Sequence, residues 1–267
     1  MHGFLRAARS VFFLAVYGLY LVFFFGLVQR LVVWPLTVVR PERRTAIVGA
    51  WFRLLANSTL ALARWLAGVR LEVQGELPPG SFVLVMNHQS MLDIPIVYSQ
   101  ANRPYPVIPT RASYARGIPG VSLLLRLARH PLVRQTKGSQ RQDIVAIARA
   151  ADEVARGELS ILIFPEGHRT RDGEIGPFMK GGLRTILLRA RRPVYLLVVD
   201  GFWPARASRE ALRSFAGMKG ALRVSGPLPP PGEGEVDAFI EQLRRRMCHE
   251  LGVLRGREPQ GLAETPK

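Results

Sequence analysis

Apolar residues along this chain fall into three patterns, and each predicts a different kind of element. Val11 to Val28 runs for 18 residues without a charged side chain. As a helix it is roughly 27 Å long, just enough for the hydrocarbon core of a bilayer. A secretory signal has a shorter apolar core and a small-residue cleavage site. Here Gln29-Arg30 follows and the hydrophobicity resumes, so the run reads as an uncleaved anchor. A second apolar run, Leu31 to Val39, is interrupted by Pro35, which predicts a bend. The pair fits either a spanning helix or a hairpin lying in one leaflet.

Helical periodicity is the second pattern. Ala46 to Ala67 predicts a mostly apolar helix ended by Gly68. Trp34, Trp51 and Trp65 suit either a membrane interface or a core. Ser90 to Ser99 predicts a helix with Ser90 as N-cap, and Gly117 to Ala128 another after Ile-Pro-Gly. Ser139 with Gln142 resembles a capping box, and Ile144, Ile147, Ala148, Ala151 and Val154 give the helix after it an apolar face. Gly181 to Arg189 predicts a helix, and Val236, Phe239, Ile240, Leu243, Met247 and Leu251 make one face of a closing helix.

The third pattern is the short continuous apolar run bounded by turn residues. Val69 to Val73, Phe82 to Met86, Pro104 to Pro109, Pro131 to Arg134, Ser160 to Phe164, Val194 to Val199 and Ala221 to Ser225 predict strands. Strands alternating with helices argue for an α/β fold, a central mixed sheet flanked by helices with a hydrophobic N-terminal element attached. The expected organisation is an anchor over residues 1–45, a globular domain over 46–254 and a frayed tail over 255–267.

Charge changes this picture. Lys plus Arg number 37 against 20 Asp plus Glu, a net +17, which draws the protein to anionic partners. Hydrophobic residues make up 48%, and the basic residues are spread along the chain without a stacking-aromatic motif, so a lipid surface is favoured over nucleic acid. Arg30, Arg40, Arg43 and Arg44 follow the long apolar run while Arg6 and Arg9 precede it, which leans toward a cytoplasmic position for the rest of the chain. The expected location is the cytoplasmic side of the inner membrane. With Cys248 the single cysteine, no internal disulfide exists, and no histidine pair has ligand spacing, so no metal is expected.

Two polar stretches interrupt the strand pattern. Asn87-His88-Gln89-Ser90-Met91-Leu92-Asp93 follows one buried strand and sets an imidazole and a carboxylate five positions apart. A carboxylate there fixes the tautomer of His88 and leaves the second ring nitrogen to accept a proton. The same residues also make an ordinary polar turn, with Asp93 capping a helix and His88 a satisfied surface residue. Phe164-Pro165-Glu166-Gly167-His168-Arg169-Thr170 repeats the logic after another strand: Gly167 admits a close backbone approach, and Arg169 offers a planar fork for phosphate oxygens.

Taken together, these stretches resemble the glycerolipid acyltransferases whose familiar members are the 1-acyl-sn-glycerol-3-phosphate acyltransferases. Asn87, His88 and Asp93 match the Asn-His-x4-Asp block, and Phe164, Pro165, Glu166, Gly167 and Arg169 match the Phe-Pro-Glu-Gly-x-Arg block. Pro177-Phe178-Met179-Lys180-Gly181-Gly182 is similar to the Phe-x-Lys-Gly segment that follows. The resemblance spans about residues 46–226. It implies His88 as general base, Asp93 as its orienting carboxylate, and Glu166, Gly167 and Arg169 as contributors to binding a phosphate-bearing acceptor, with Arg134 and Lys180 alongside. It also implies acyl-CoA or acyl carrier protein as donor, no cofactor, a lysophospholipid acceptor, and phosphatidic acid as product in phospholipid biosynthesis.

The chain departs from the family pattern in places. The glycine and aromatic residues usual before the middle arginine are missing ahead of Arg134. His168 and Thr170 stand where Thr and Ser are common, and Leu196-Leu197 follow Pro193 where a second proline is usual. These departures leave the base intact and open the acceptor to other lysolipids or a lipidated amino acid. A non-catalytic protein that binds anionic lipid is the rival from another class.

Overall fold

A computed structural model describes residues 2–101, 104–118, 120–136 and 138–257. Its N-terminal helix begins as α1 (His2–Leu21), widens to π-type winding over Val22–Val33, and returns to α geometry in α2 (Trp34–Val39). Trp34 N–H reaches back five residues to the Gln29 carbonyl, and Pro35 falls in the first turn of α2. Because the helix continues through Pro35, its missing N–H leaves one carbonyl of the preceding turn without a helical donor. Pro35, expected to mark a bend, marks a change of winding.

One side of this helix is fastened along its length. Arg6 donates to the carbonyls of Ser214 and Ala216, Arg9 donates to Leu66 O, and Ser10 Oγ accepts from Ala216 N. Phe13 stacks on Phe215 with ring centroids 4.7 Å apart. Further along, the fully buried Gln29 donates to Gly120 O at 2.8 Å and accepts from Trp51 Nε1 at 3.0 Å. The other side leaves Phe12, Leu19, Phe23, Leu27 and Leu31 exposed.

Next comes α3 (Arg44–Ala67), closed by Gly68 at φ 70 with its N–H on the carbonyls of Ala63 and Arg64, a left-handed cap that glycine adopts at little cost. Trp51 is core, whereas Trp34 and Trp65 are exposed. Gly3–Val39 and Pro41–Ala67 are each long and apolar enough to cross a membrane, by length and composition.

The globular part is built on a six-stranded mixed sheet. Its strands are β1 (Arg70–Gln74), β2 (Val83–Met86), β3 (Pro106–Val107), β6 (Ser160–Ile163), β7 (Val194–Asp200) and β8 (Lys219–Leu228), in the order β1-β8-β7-β2-β6-β3. The run from β7 through β2 and β6 to β3 is parallel, β8 pairs antiparallel with β7, and β1 pairs parallel with β8. Every residue of β2 and β6 is buried, as expected of central parallel strands covered on both faces. A separate two-stranded sheet pairs β4 (Thr110–Arg111) with β5 (Leu132–Val133). The remaining helices are α4 (Asp93–Gln100), α5 (Val121–Leu127), α6 (Gln140–Ala155), α7 (Lys180–Ala190), α8 (Ser208–Ser214) and α9 (Val236–Leu254).

At two helix starts an aspartate ties down the backbone just ahead of the helix. Helix α4 starts at Asp93, three residues beyond the expected cap Ser90; Ser90 Oγ accepts Leu92 N at 3.0 Å, as a cap would, while Asp93 accepts the N–H groups of Gln89 and Ser90 and ties that segment into a turn. At α6 the Ser139–Gln142 box does not form. Asp143 instead accepts the N–H groups of Arg134 and Gln135 and the Ser139 hydroxyl. Pro119 of the Ile-Pro-Gly expected before α5 lies outside the described residues. All six apolar positions expected on the closing helix are the buried ones of α9. Arg255, expected to open a frayed tail, is held by Asp200 and Glu174; residues 258–267 of that expected tail lie outside the described residues.

Candidate active site

Because β2, β6 and β7 are parallel neighbours, their C-terminal ends share one edge of the sheet, where open α/β sheets present ligand sites. β2 delivers Asn87 to Asp93 there, β6 delivers Phe164 to Thr170, and β7 ends in Asp200. Asn87, buried, closes a two-way bond with the backbone of Val199, accepting its N–H and donating to its carbonyl, each at 2.8 Å. The first motif is thereby pinned to the neighbouring strand.

His88 Nδ1 lies 2.6 Å from Asp93 Oδ2. Asp93 is fully buried, and the same oxygen accepts from Gln89 N at 2.7 Å and Ser90 N at 2.9 Å. Its other oxygen, Oδ1, is buried and receives no hydrogen bond from the described residues. All three donors thus converge on one atom. With Nδ1 engaged, Nε2 is the nitrogen left to meet a substrate, and 18% of the His88 side chain stays exposed. Phe164 stacks on the imidazole at 4.1 Å between centroids, limiting its rotation.

Glu166 joins the two motifs. It is buried; Oε1 accepts His88 N at 3.0 Å and Oε2 accepts Gly176 N at 3.0 Å. Thr170 N donates to His88 O at 2.8 Å, so both backbone polar groups of His88 are tied to the second motif. Burial pushes the Glu166 carboxyl up from its ordinary value, opposed by the two backbone N–H groups it accepts. Gly167 turns the chain at φ 72, and a Cβ there would lie 2.4 Å from Met179 Sδ. Arg169 donates to Arg206 O, in the insertion between β7 and β8.

The structure therefore brings His88, Asp93 and Glu166 into direct bonded contact, with Gly167 and Arg169 on the same turn as Glu166. Arg134 stands apart, exposed just beyond β5 on the separate two-stranded sheet. Lys180, at the start of α7, is exposed and pairs with Glu241 of α9 at 2.9 Å. No described hydrogen bond or ion pair links either to His88, Asp93 or Glu166. Two further residues belong to the site and were not singled out from the sequence. Gln89 sat inside the first motif as a spacer, and Asp200 was a lone acid closing an apolar strand, a position that itself points at the ligand edge.

Residues 69–199, just under half of the chain, match the family described as Acyltransferase. Among similar curated proteins, 1-acyl-sn-glycerol-3-phosphate acyltransferase alpha of Bos taurus is 26% identical over 190 residues, covering 69% of this chain and 63% of that protein. The 1-acyl-sn-glycerol-3-phosphate acyltransferase of Limnanthes alba is 26% identical over 202 residues, covering 72% and 65%. The chain thus spans just under two thirds of the length of these relatives. Among solved structures, the crystal structure of the 1-acyl-sn-glycerophosphate acyltransferase PlsC from Thermotoga maritima superposes with a TM-score of 0.68 at 21% identity, covering 94% of this chain and 99% of that one. This protein has the same fold.

Proposed function

We propose that the protein is a membrane-docked acyltransferase acting on 1-acyl-sn-glycerol-3-phosphate and producing phosphatidic acid. The donor is a fatty acyl thioester carried by coenzyme A or acyl carrier protein. The observation that carries the reaction class is the 2.6 Å contact between His88 Nδ1 and the buried Asp93, at the edge where both motifs meet. In this reading the acceptor hydroxyl loses its proton to His88 Nε2 as its oxygen bonds the thioester carbonyl carbon. The tetrahedral adduct then collapses, the C–S bond breaks, and the proton passes to the departing thiolate. Asp93 holds the tautomer beforehand and stabilises the imidazolium once formed. No serine or cysteine nucleophile enters; Cys248 lies exposed on α9.

Acceptor identity rests on the named activity of the relatives and on Arg169, a guanidinium on the same turn as Glu166. Glu166 contributes by bracing the loops, since both its oxygens are already engaged. Arg134 and Lys180 complete the proposed anion-binding set from the rim. Residues 1–45 serve as the anchor: a helix fastened to the domain from Arg6 to Gln29, with its other side apolar, fits one leaflet of the cytoplasmic membrane better than a span that leaves the domain. The acyltransferase domain runs from residue 46 through Arg255.

The test is acyl transfer by purified, detergent-solubilised protein from long-chain acyl-CoA and acyl carrier protein to a panel of lysolipids and a lipidated amino acid, with His88→Ala alongside. Transfer to lysophosphatidate that falls about 100- to 10,000-fold in the variant supports base and acceptor together. Transfer confined to another acceptor overturns the substrate, and a fully active folded His88→Ala overturns the mechanism.

A further inference from the structure

Beyond the end of α9, Arg255 makes a set of contacts that the reaction as described does not use. Its guanidinium spans Asp200, with Nε 2.8 Å from Oδ2 and Nη2 3.0 Å from Oδ1. It also donates to Gly173 O at 2.8 Å and to Glu174 Oε1 at 2.5 Å. Arg255 and Asp200 keep only 15% and 19% of their side chains exposed. Asp200 accepts in turn from the side chain of Gln89, Nε2 to Oδ1 at 3.0 Å, while Gln89 Oε1 accepts Phe202 N at 3.1 Å. Gln89 is fully buried, and its backbone N–H donates to Asp93 Oδ2, the oxygen that holds His88.

A second arginine, eleven residues earlier and so close to the same face of the helix at about 100° per residue, reaches the other side of the site. Arg244 Nε donates to Gly176 O at 3.0 Å, and Gly176 N donates to Glu166 Oε2, whose partner oxygen accepts His88 N. Helix α9 and its end therefore grip the 173–176 segment at two points and meet the His88 turn by two routes. Arg244 and Arg255 both lie outside the residues matched by the family.

We infer that Arg255 and Asp200 are a positioning pair for the His88–Asp93 dyad, acting through Gln89. This rests on the reading of His88 as the base. The physical case is one of rotational freedom: Gln89 is fixed at both ends of its amide, one end by an ion-paired carboxylate, so its backbone N–H stays aimed at Asp93. Without Arg255, Asp200 is a half-buried carboxylate short of its charge partner. It is then drawn toward solvent, and the Gln89 amide loses the acceptor that orients it.

The experiment compares wild-type protein with Arg255→Met, Arg255→Lys, Asp200→Asn and the double variant. Arg189→Met is the control, because it breaks an arginine–carboxylate pair with Asp152 that is remote from the site and exposed. Acyl transfer to lysophosphatidate should show kcat lowered about 10- to 100-fold in Arg255→Met, with both KM values within about twofold. Arg255→Lys should recover part of the loss, since an ammonium cannot span both carboxylate oxygens. The double variant should be no worse than the worse single variant.

The 15N-histidine NMR signal of His88 reads the dyad independently of turnover. It should shift or broaden in Arg255→Met and stay unchanged in Arg189→Met. An Arg255→Met protein with wild-type kcat and a wild-type His88 signal overturns the inference, as does an equal kcat loss in the control at equal loss of melting temperature. If wild-type protein transfers nothing, the functional reading fails, and the His88 signal still decides the positioning.

Discussion

Asp93→Asn probes the dyad with the smallest change of shape. In the native site one oxygen accepts three donors, from His88 Nδ1, Gln89 N and Ser90 N, while Oδ1 is buried without a partner. An asparagine that keeps its oxygen in the accepting position puts an NH2 where Oδ1 was, a buried donor facing no acceptor, at about 1–3 kcal/mol. Turned the other way, it sets that NH2 against two backbone N–H groups and offers His88 a donor, which favours the tautomer protonated at Nε2. Either orientation removes the charge that steadies the imidazolium. Breaking a buried charge pair costs about 3–5 kcal/mol, which converts to roughly 100- to 10,000-fold in kcat. Because His88 and Asp93 act as one unit, His88→Ala with Asp93→Asn should be about as slow as His88→Ala alone. The assay is kcat for acyl transfer in detergent, below the melting temperature of each variant. A cooperatively folded Asp93→Asn within about threefold of wild type, or additive losses in the double variant, would refute the dyad.

His130 carries a stability prediction. It is buried, its Nδ1 accepts Ile108 N at 2.9 Å, and burial lowers its pKa from 6.5 to about 4 against the raising effect of the Ile108 backbone. The unfolded chain binds the proton first as pH falls, so this residue's share of stability is intact above about 6.5 and is lost progressively toward pH 4. The total is about 3 kcal/mol; in His130→Asn, which keeps an acceptor and does not titrate, melting temperature should fall less between pH 7 and 4.5, and an unchanged slope contradicts the assignment. Gly167→Ala places a Cβ against Met179 Sδ at a positive φ, costing about 1–2 kcal/mol for the backbone alone. Met179→Ala added to it should restore only the steric part of the lost melting temperature, and full restoration would mean the backbone is unstrained. Arg169→Ala should raise the acceptor KM while leaving the donor KM unchanged; equal responses would remove Arg169 from acceptor binding.

Much of the site was legible because its chemistry is local. His88 and Asp93 are five residues apart, and the bond between them is made within a single turn. Glu166, Gly167 and Arg169 share another turn. That these turns meet follows from β2 and β6 being adjacent and parallel, a pairing that their uniformly apolar runs imply but do not register. The roles inside the turns were not legible. Glu166 offered a charge in sequence; only its burial between His88 N and Gly176 N makes it a brace.

The N-terminal apolar run, the α/β alternation, the six-residue face of α9 and the two motifs were determined by the sequence itself, because periodicity and short-range spacing express themselves within one element. Tertiary structure decided the rest, where bonds made only in the folded chain set the outcome. At the starts of α4 and α6, Asp93 and Asp143 accept backbone N–H groups of the segment just ahead of each helix, charge-assisted bonds that fix the entering turn. Arg255 looked like the start of a loose end until the fold set it against Asp200, 55 residues away in the chain, and Gly173, 82 away. Contacts across such separations leave no local pattern, because their geometry exists only once the sheet and its covering helices have assembled.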